Sequence, residues 1–170
     1  MSEVYLKKAK KTPETGTSET RKIVERMLSE IEIGKETIAK KYASDLDGFN
    51  GDIIVSKESI KNASKMVPEK LKDDIKFAHE RIKKFAEAQK QSINEFETEL
   101  SPGLWAGQKL IPIQTAGCYV PGGRYAHVAS AIMSITTARV AGVENIIACS
   151  APKGEDGPNP AILYTMNYCG

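Results

Sequence analysis

Charge is spread so unevenly along this chain that its two parts cannot present the same kind of surface. Of the 46 charged residues, 39 fall within residues 1–100 and 7 within 101–170, whereas Gly and Pro together number 6 in the first stretch and 15 in the second. A charge-rich stretch with few turn residues suits helices that bury one face. A nearly uncharged, turn-rich stretch suits strands and helices covered on more than one side. The join lies near Pro102-Gly103 and divides the 170 residues into a mainly helical section over 1–101, with one short strand, and a second section over 102–170.

The averages exclude several classes of protein. A formal charge of +2 is too small to point to nucleic acid or a membrane as partner. No apolar run approaches the ~18 residues of a membrane span, and the N-terminus lacks the apolar block of a signal peptide. Three cysteines, an odd number without a C-x-x-C pair, suit reduced thiols, so the expected location is cytoplasmic.

In the first section, Thr17 and Ser18 are candidate N-caps for a helix carrying Ile23, Val24, Met27, Leu28 and Ile31, with Gly34 as its stop. A second helix, with Ile38, Ala39, Tyr42 and Leu46 inward, ends at Asp47-Gly48. Asp52 to Val55 reads as the short strand, and Ser56 caps a helical stretch toward Met66. Pro68 suits the first position of a helix, and from it runs the longest periodic pattern: Leu71, Ile75, Ala78, Ile82, Phe85 and Gln89. That stripe needs a partner surface. Lys7, Lys8, Lys10 and Lys11 read as a solvated arm, because no aromatic platform accompanies them. His79 reads as a helix-edge residue, since nothing pairs with it at metal-ligand spacing.

The second section follows a different pattern. Leu104 to Ile113 is strand-like with breaks at Gly107 and Pro112, and Thr115 to Val120 is a short apolar strand closing on Pro121-Gly122-Gly123. Ala126 to Ala141, rich in small residues and stopped by Gly142, suits a helix lying close on a sheet. Asn145 to Cys149 is a second buried strand, and Asn159-Pro160 provides cap and first position of a further helix. Cys118 and Cys149, at the ends of neighbouring strands, read as small buried residues. The order β-turn-α-β-loop-α is that of a βαβ crossover, so the fold class is α/β: a helical N-terminal section followed by the first βαβ unit of a parallel sheet. A glycine turn at the carboxyl end of such a strand either serves as a tight turn or lets backbone approach a ligand. The G-x-G-x-x-G dinucleotide fingerprint is absent, because Gly117, Gly122 and Gly123 are wrongly spaced.

The run Ala116-Gly117-Cys118-Tyr119-Val120-Pro121-Gly122-Gly123, followed by Ser130-Ala131-Ile132-Met133, Ala138-Arg139-Val140-Ala141-Gly142-Val143 and Ile146-Ile147-Ala148-Cys149-Ser150-Ala151-Pro152, resembles the histidinol dehydrogenase family. The resemblance implies an incomplete Rossmann-like sheet, truncated relative to the family. It also implies a zinc-dependent homodimeric enzyme that uses NAD twice to oxidise a primary alcohol, through an aldehyde, to a carboxylate. The motif tyrosine contacts NAD in the family, a role that falls on Tyr119, with Pro121, Gly122 and Gly123 as the loop beside the cofactor. The family's catalytic Glu-His pair and zinc ligands lie beyond this stretch, so no catalytic or metal residue is assigned. Ala129 stands where histidinol enzymes usually carry a serine. The opening Tyr5-Leu6-Lys7-Lys8-Ala9 and the run from Gly122 to His127 look more like the branch that oxidises sulfopropanediol to sulfolactate, in which Arg124 and His127 are candidates to face a sulfonate. A chain cut at this point is expected to lack turnover and to aggregate. Two other readings are a non-enzymatic nucleotide-binding module and an oligomerisation piece in which the Leu71–Gln89 stripe packs on another chain.

Overall fold

The computed structural model describes residues 18–122 and 125–170, so Thr17 and the basic run from Lys7 to Lys11 lie outside the described residues. Five helices and four strands occur among them: α1 (Ser18–Asp47), α2 (Lys57–Met66), α3 (Glu69–Gln91), β1 (Phe96–Ser101), β2 (Leu104–Gln108), β3 (Thr115–Val120), α4 (Val128–Ala141), β4 (Asn145–Ser150) and α5 (Pro160–Cys169). The chain divides into two compact units, one ending at Tyr42 and the other beginning at Ala43.

Within the first unit, α1 breaks at Lys35, whose φ of 51° and ψ of −135° are non-helical. The break stands one residue after the stop expected at Gly34. The Tyr42 hydroxyl donates to Glu30 Oε2 at 2.5 Å, so the arms on either side of the break meet. In the second unit α1 ends where expected: Gly48, at φ 66°, donates its amide to the Ser44 carbonyl in a left-handed C-terminal cap.

The second unit is organised around α4. β3 and β4 pair in parallel, from Thr115 opposite Asn145 to Val120 opposite Ser150, with α4 as the crossover between them. Both strands alternate: Cys118 and Val120 are buried, whereas Tyr119 and Cys149 are exposed. The small-residue helix α4 lies on the buried face and packs against α3 and α5 as well. Ala131, Ile132 and Ile135 of α4 join Val120, Ile75 of α3 and Ile162 of α5 in one core. Gly142, at φ 98°, stops α4 in a Schellman turn, with Val143 N–H donating to the Ala138 carbonyl and Gly142 N–H to that of Arg139. The Asn159 side chain accepts from Ala161 N–H and caps α5, with Pro160 at its first position.

Five expectations are corrected. Asp52 to Val55 forms no strand; its β-branched residues find no partner strand, and Ile54 and Val55 instead line a cleft. The strand in this part of the chain is β1, which pairs antiparallel with β2 across Pro102-Gly103, so the presumed join between sections is a hairpin turn. The α3 stripe meets α4 of its own chain rather than another molecule, and Phe85 is 64% exposed while Ala86 is buried. Cys149 is exposed, because the alternation that buries Cys118 turns it to the other face of the sheet. Pro68 caps α3 from just outside the helix, one position before the place predicted.

Candidate site at the carboxyl ends of the parallel strands

In a parallel sheet, loops that follow the strand ends leave backbone groups and helix starts facing outward, so ligands collect on that side. Here that side is made by the turn after β3 and the loop after β4.

Tyr119 is the penultimate residue of β3 and its ring is 65% exposed. Its register partner is Cys149, and Gly117 faces Ile147 two residues earlier, so one face of the sheet carries Tyr119, Ile147 and Cys149 without helix cover among the described residues. A Cβ placed on Gly117 would meet nothing within 4 Å, which leaves bare backbone beside the ring.

Pro121 and Gly122 are half-buried in the turn that follows. The need for glycine at 122 is internal: a Cβ there would stand 2.6 Å from Ser150 Oγ and 2.7 Å from the Ala151 carbonyl oxygen. The ends of β3 and β4 therefore close on each other, and Gly122 is explained by that approach. Ser150 was not singled out from sequence. Its hydroxyl is buried at the strand end with no hydrogen-bond partner among the described residues, and a serine ending an apolar strand beside a glycine turn is the sequence signal that could have marked it.

His127 is exposed and occupies the N-cap of α4, where its carbonyl accepts from Ser130 and Ala131 N–H while its side chain makes no capping bond. It begins the helix that covers the face of the sheet opposite the Tyr119 side chain. Gly123 and Arg124 lie outside the described residues.

The loop after β4 folds over a short 3₁₀ turn, closed by Lys153 N–H donating to the Gly157 carbonyl at 2.7 Å. Beyond it opens a cleft of about 750 Å³, lined by Phe49, Val55, Lys153 and Asn159 together with Ser59 and Asn62 of α2. The described residues bring no three His, Cys, Asp or Glu side chains together in a group able to hold a metal ion.

The other titratable groups belong to packing. His79 lies on α3 with its ring edge-on to Tyr168, centroids 5.1 Å apart, and burial followed by the charge of Lys83 holds its pKa below the ordinary histidine value. Burial pushes the Cys169 thiol up. The Thr136 hydroxyl works against that shift from nearby, although it completes no hydrogen bond of normal geometry. No helix among the described residues is long and apolar enough to cross a membrane.

Comparison with known proteins covers nearly the whole chain. The family model for histidinol dehydrogenase matches residues 10–170. A protein of Pelagibacter ubique named histidinol dehydrogenase homolog is 54% identical over 100% of this chain and 40% of its own length. The sulfopropanediol 3-dehydrogenase of Ruegeria pomeroyi is 49% identical over 98% of this chain and 38% of its own. The crystal structure of histidinol dehydrogenase from Elizabethkingia anophelis superposes with a TM-score of 0.83 at 31% identity, covering 93% of this chain and 36% of that one. The chain thus spans about 40% of the length of the curated relatives it matches.

Proposed function

Since the chain belongs to the histidinol dehydrogenase family, we propose that it is the amino-terminal part of an NAD-dependent dehydrogenase that oxidises a primary alcohol through an aldehyde to a carboxylate. NAD supplies the hydride acceptor. The single observation that carries the cofactor assignment is the Tyr119 ring, 65% exposed at a parallel strand end beside bare backbone at Gly117. An exposed aromatic ring beside bare backbone offers a flat apolar surface on which a planar ligand ring can stack. The unpartnered Ser150 hydroxyl at the same end provides a polar group that a ligand can satisfy after a small movement of the turn. Gly122 shapes this end through its packing on Ala151, and Pro121 fixes the backbone leading into it.

A zinc ion, implied by the family, does not fit the described residues, because they assemble no ligand set. For the substrate, we favour sulfopropanediol over histidinol. The support is the 49% identity to the Ruegeria pomeroyi enzyme and Ala129 at the place of the family's usual serine, where a polar substrate would leave a hydrogen bond unmade. His127, exposed at the start of α4, and Arg124 are the residues we assign to the anionic group of that substrate.

Calorimetric titration of the chain with NAD tests the cofactor reading. Binding weakened at least about tenfold by Tyr119→Ala is expected, in keeping with loss of one buried aromatic contact. A folded chain that does not bind NAD overturns the reading, and binding indifferent to Tyr119→Ala removes that residue from it. The full-length gene product, offered sulfopropanediol and histidinol side by side, should turn over the former faster; the reverse order sinks the substrate proposal.

A further inference from the structure

The cleft beside the loop after β4 has a construction that the strand-end site does not use. Residues of the 49–56 segment, of α2 and of the loop leading into α5 line it, and the Phe49 ring ties its two loops together. A Cβ on Gly51 would stand 2.5 Å from Phe49 Cζ, and one on Gly157, itself left-handed at φ 78°, would stand 3.9 Å from Phe49 Cε2. The ring is therefore seated against both glycines. Ser59, Asn62, Ala63 and Met66 of α2 follow at i, i+3, i+4 and i+7, one face of the helix, which passes from polar at its start to apolar at its end. Leu163 of α5, 9% exposed, extends the apolar lining.

Charge narrows what such a cleft can hold. Lys153, Glu155 and Asp52 all line it and all are exposed. Lys153 and Glu155 stand two residues apart, yet among the described residues neither enters an ion pair. A simple anion placed here would meet two carboxylates, and a simple cation would meet the ammonium. A molecule with both charges and an apolar body meets every part of the lining with its complement.

We infer that the cleft binds a zwitterionic small molecule with a large apolar side chain, an α-amino acid of the leucine or phenylalanine type. Its carboxylate turns to Lys153, its ammonium to Glu155 and Asp52, and its side chain to Phe49, Met66 and Leu163. The volume of about 750 Å³ lies within the ~300–1,000 Å³ of ligand pockets and leaves room for bridging water around such a molecule. The lining includes neither Tyr119 nor His127, so the inference stands independently of the cofactor and alcohol readings.

Titration of the isotope-labelled 170-residue chain with L-phenylalanine, followed by amide chemical shifts, tests this, with circular dichroism to confirm that each variant is folded. Saturable shifts at Ser59, Lys153 and Gly157 are expected, with a dissociation constant on the order of 1 mM for a small ligand in an open cleft. N-acetyl-L-phenylalanine, which lacks the ammonium, and L-phenylalaninamide, which lacks the carboxylate, should each bind about fivefold more weakly. Lys153→Ala should weaken L-phenylalanine by about the same factor without weakening the amide, and Glu155→Gln should weaken it without weakening the N-acetyl form. The same cycle, read as a shift of the unfolding midpoint, applies to the full-length gene product. Four results overturn the inference: no saturation, shifts confined to β3 and β4, variants that weaken all three compounds equally, and tighter binding of inorganic phosphate or adenosine monophosphate at this cleft. The third result is what a merely structural role of the two side chains would give, and the fourth would make the cleft an anion or nucleotide site.

Discussion

The second unit contains two small sheets with opposite fates. The parallel pair β3–β4 buries one face under α4, while the antiparallel pair β1–β2 is exposed on both. Side-chain size does not explain the difference. Phe96, Leu100, Leu104 and Trp105 of the hairpin are each more than half exposed, whereas the covered face of the parallel pair is built from Ala116, Cys118, Val120, Ile146 and Ala148. Small residues let a helix approach closely, and α4 answers with Ala131 and other small side chains. What makes a core here is the fit of a helix to a strand pair, and a two-stranded hairpin without such cover adds little stability of its own.

That contrast is open to direct attack. Ile135→Ala, at a 1% exposed position of α4, should cost about 2–5 kcal/mol in urea unfolding. A loss within about 0.5 kcal/mol would mean that the helix is not the element holding the parallel pair. Gly122→Ala should cost about 1–3 kcal/mol, since the new methyl meets the Ala151 carbonyl and the Ser150 hydroxyl. Adding Ser150→Ala should recover only part of that loss, because the backbone contact stays. Gly107→Ala would bring its methyl still closer to backbone, against the Phe96 carbonyl oxygen, but lies in the hairpin. It should disturb hairpin amide exchange while leaving the global unfolding midpoint nearly unchanged.

A smaller effect is expected with pH. His79 has its folded pKa lowered, by burial first and the Lys83 charge second, with Glu80 opposing. The unfolded chain therefore binds its proton more readily, and the stability linked to this group is fully present above the ordinary histidine pKa of ~6.5 and is lost as pH falls through and below it. Unfolding midpoints measured between pH 7.5 and 5 should fall, and His79→Phe should flatten that dependence. An equal slope in the variant would place the effect elsewhere. The smallest change is expected from Trp105→Ala, within about 0.5 kcal/mol, despite the size of the side chain; a loss comparable to Ile135→Ala would show that the hairpin is covered in solution.

Local chemistry made some elements legible and misled at others. The caps that end α4 at Gly142 and begin α5 at Asn159-Pro160 act through neighbouring backbone, so residue type alone marked them. β1 was missed because its alternation of Phe96, Glu97, Thr98, Glu99 and Leu100 is half acidic, and only pairing with β2 makes it a strand. The Ile-Ile-Val run before Ser56 made the opposite error, β-branched residues without a partner. On α3, a strict seven-residue repeat from Leu71 and Ala78 reaches Phe85. A straight helix drifts by ~20° per heptad from that repeat, so its buried line passes through Ile75 and arrives at Ala86. At the candidate site, the position of Tyr119 was readable, but the orphaned Ser150 hydroxyl and the internal reason for Gly122 were not, since both arise where two strand ends meet.

By itself the sequence determined the α/β class, the order of the crossover elements and the residues at which they stop, because periodicity and capping are short-range properties of the chain, and its motif run from Ala116 to Pro152 determined the family by resemblance. Only the tertiary structure decided which face of each element is buried. It placed Cys149 and Tyr119 on the open side of the sheet, Phe85 off the α3 seam and the hairpin outside the core. Burial depends on what lies across from a side chain, and that neighbour is supplied by residues distant along the chain.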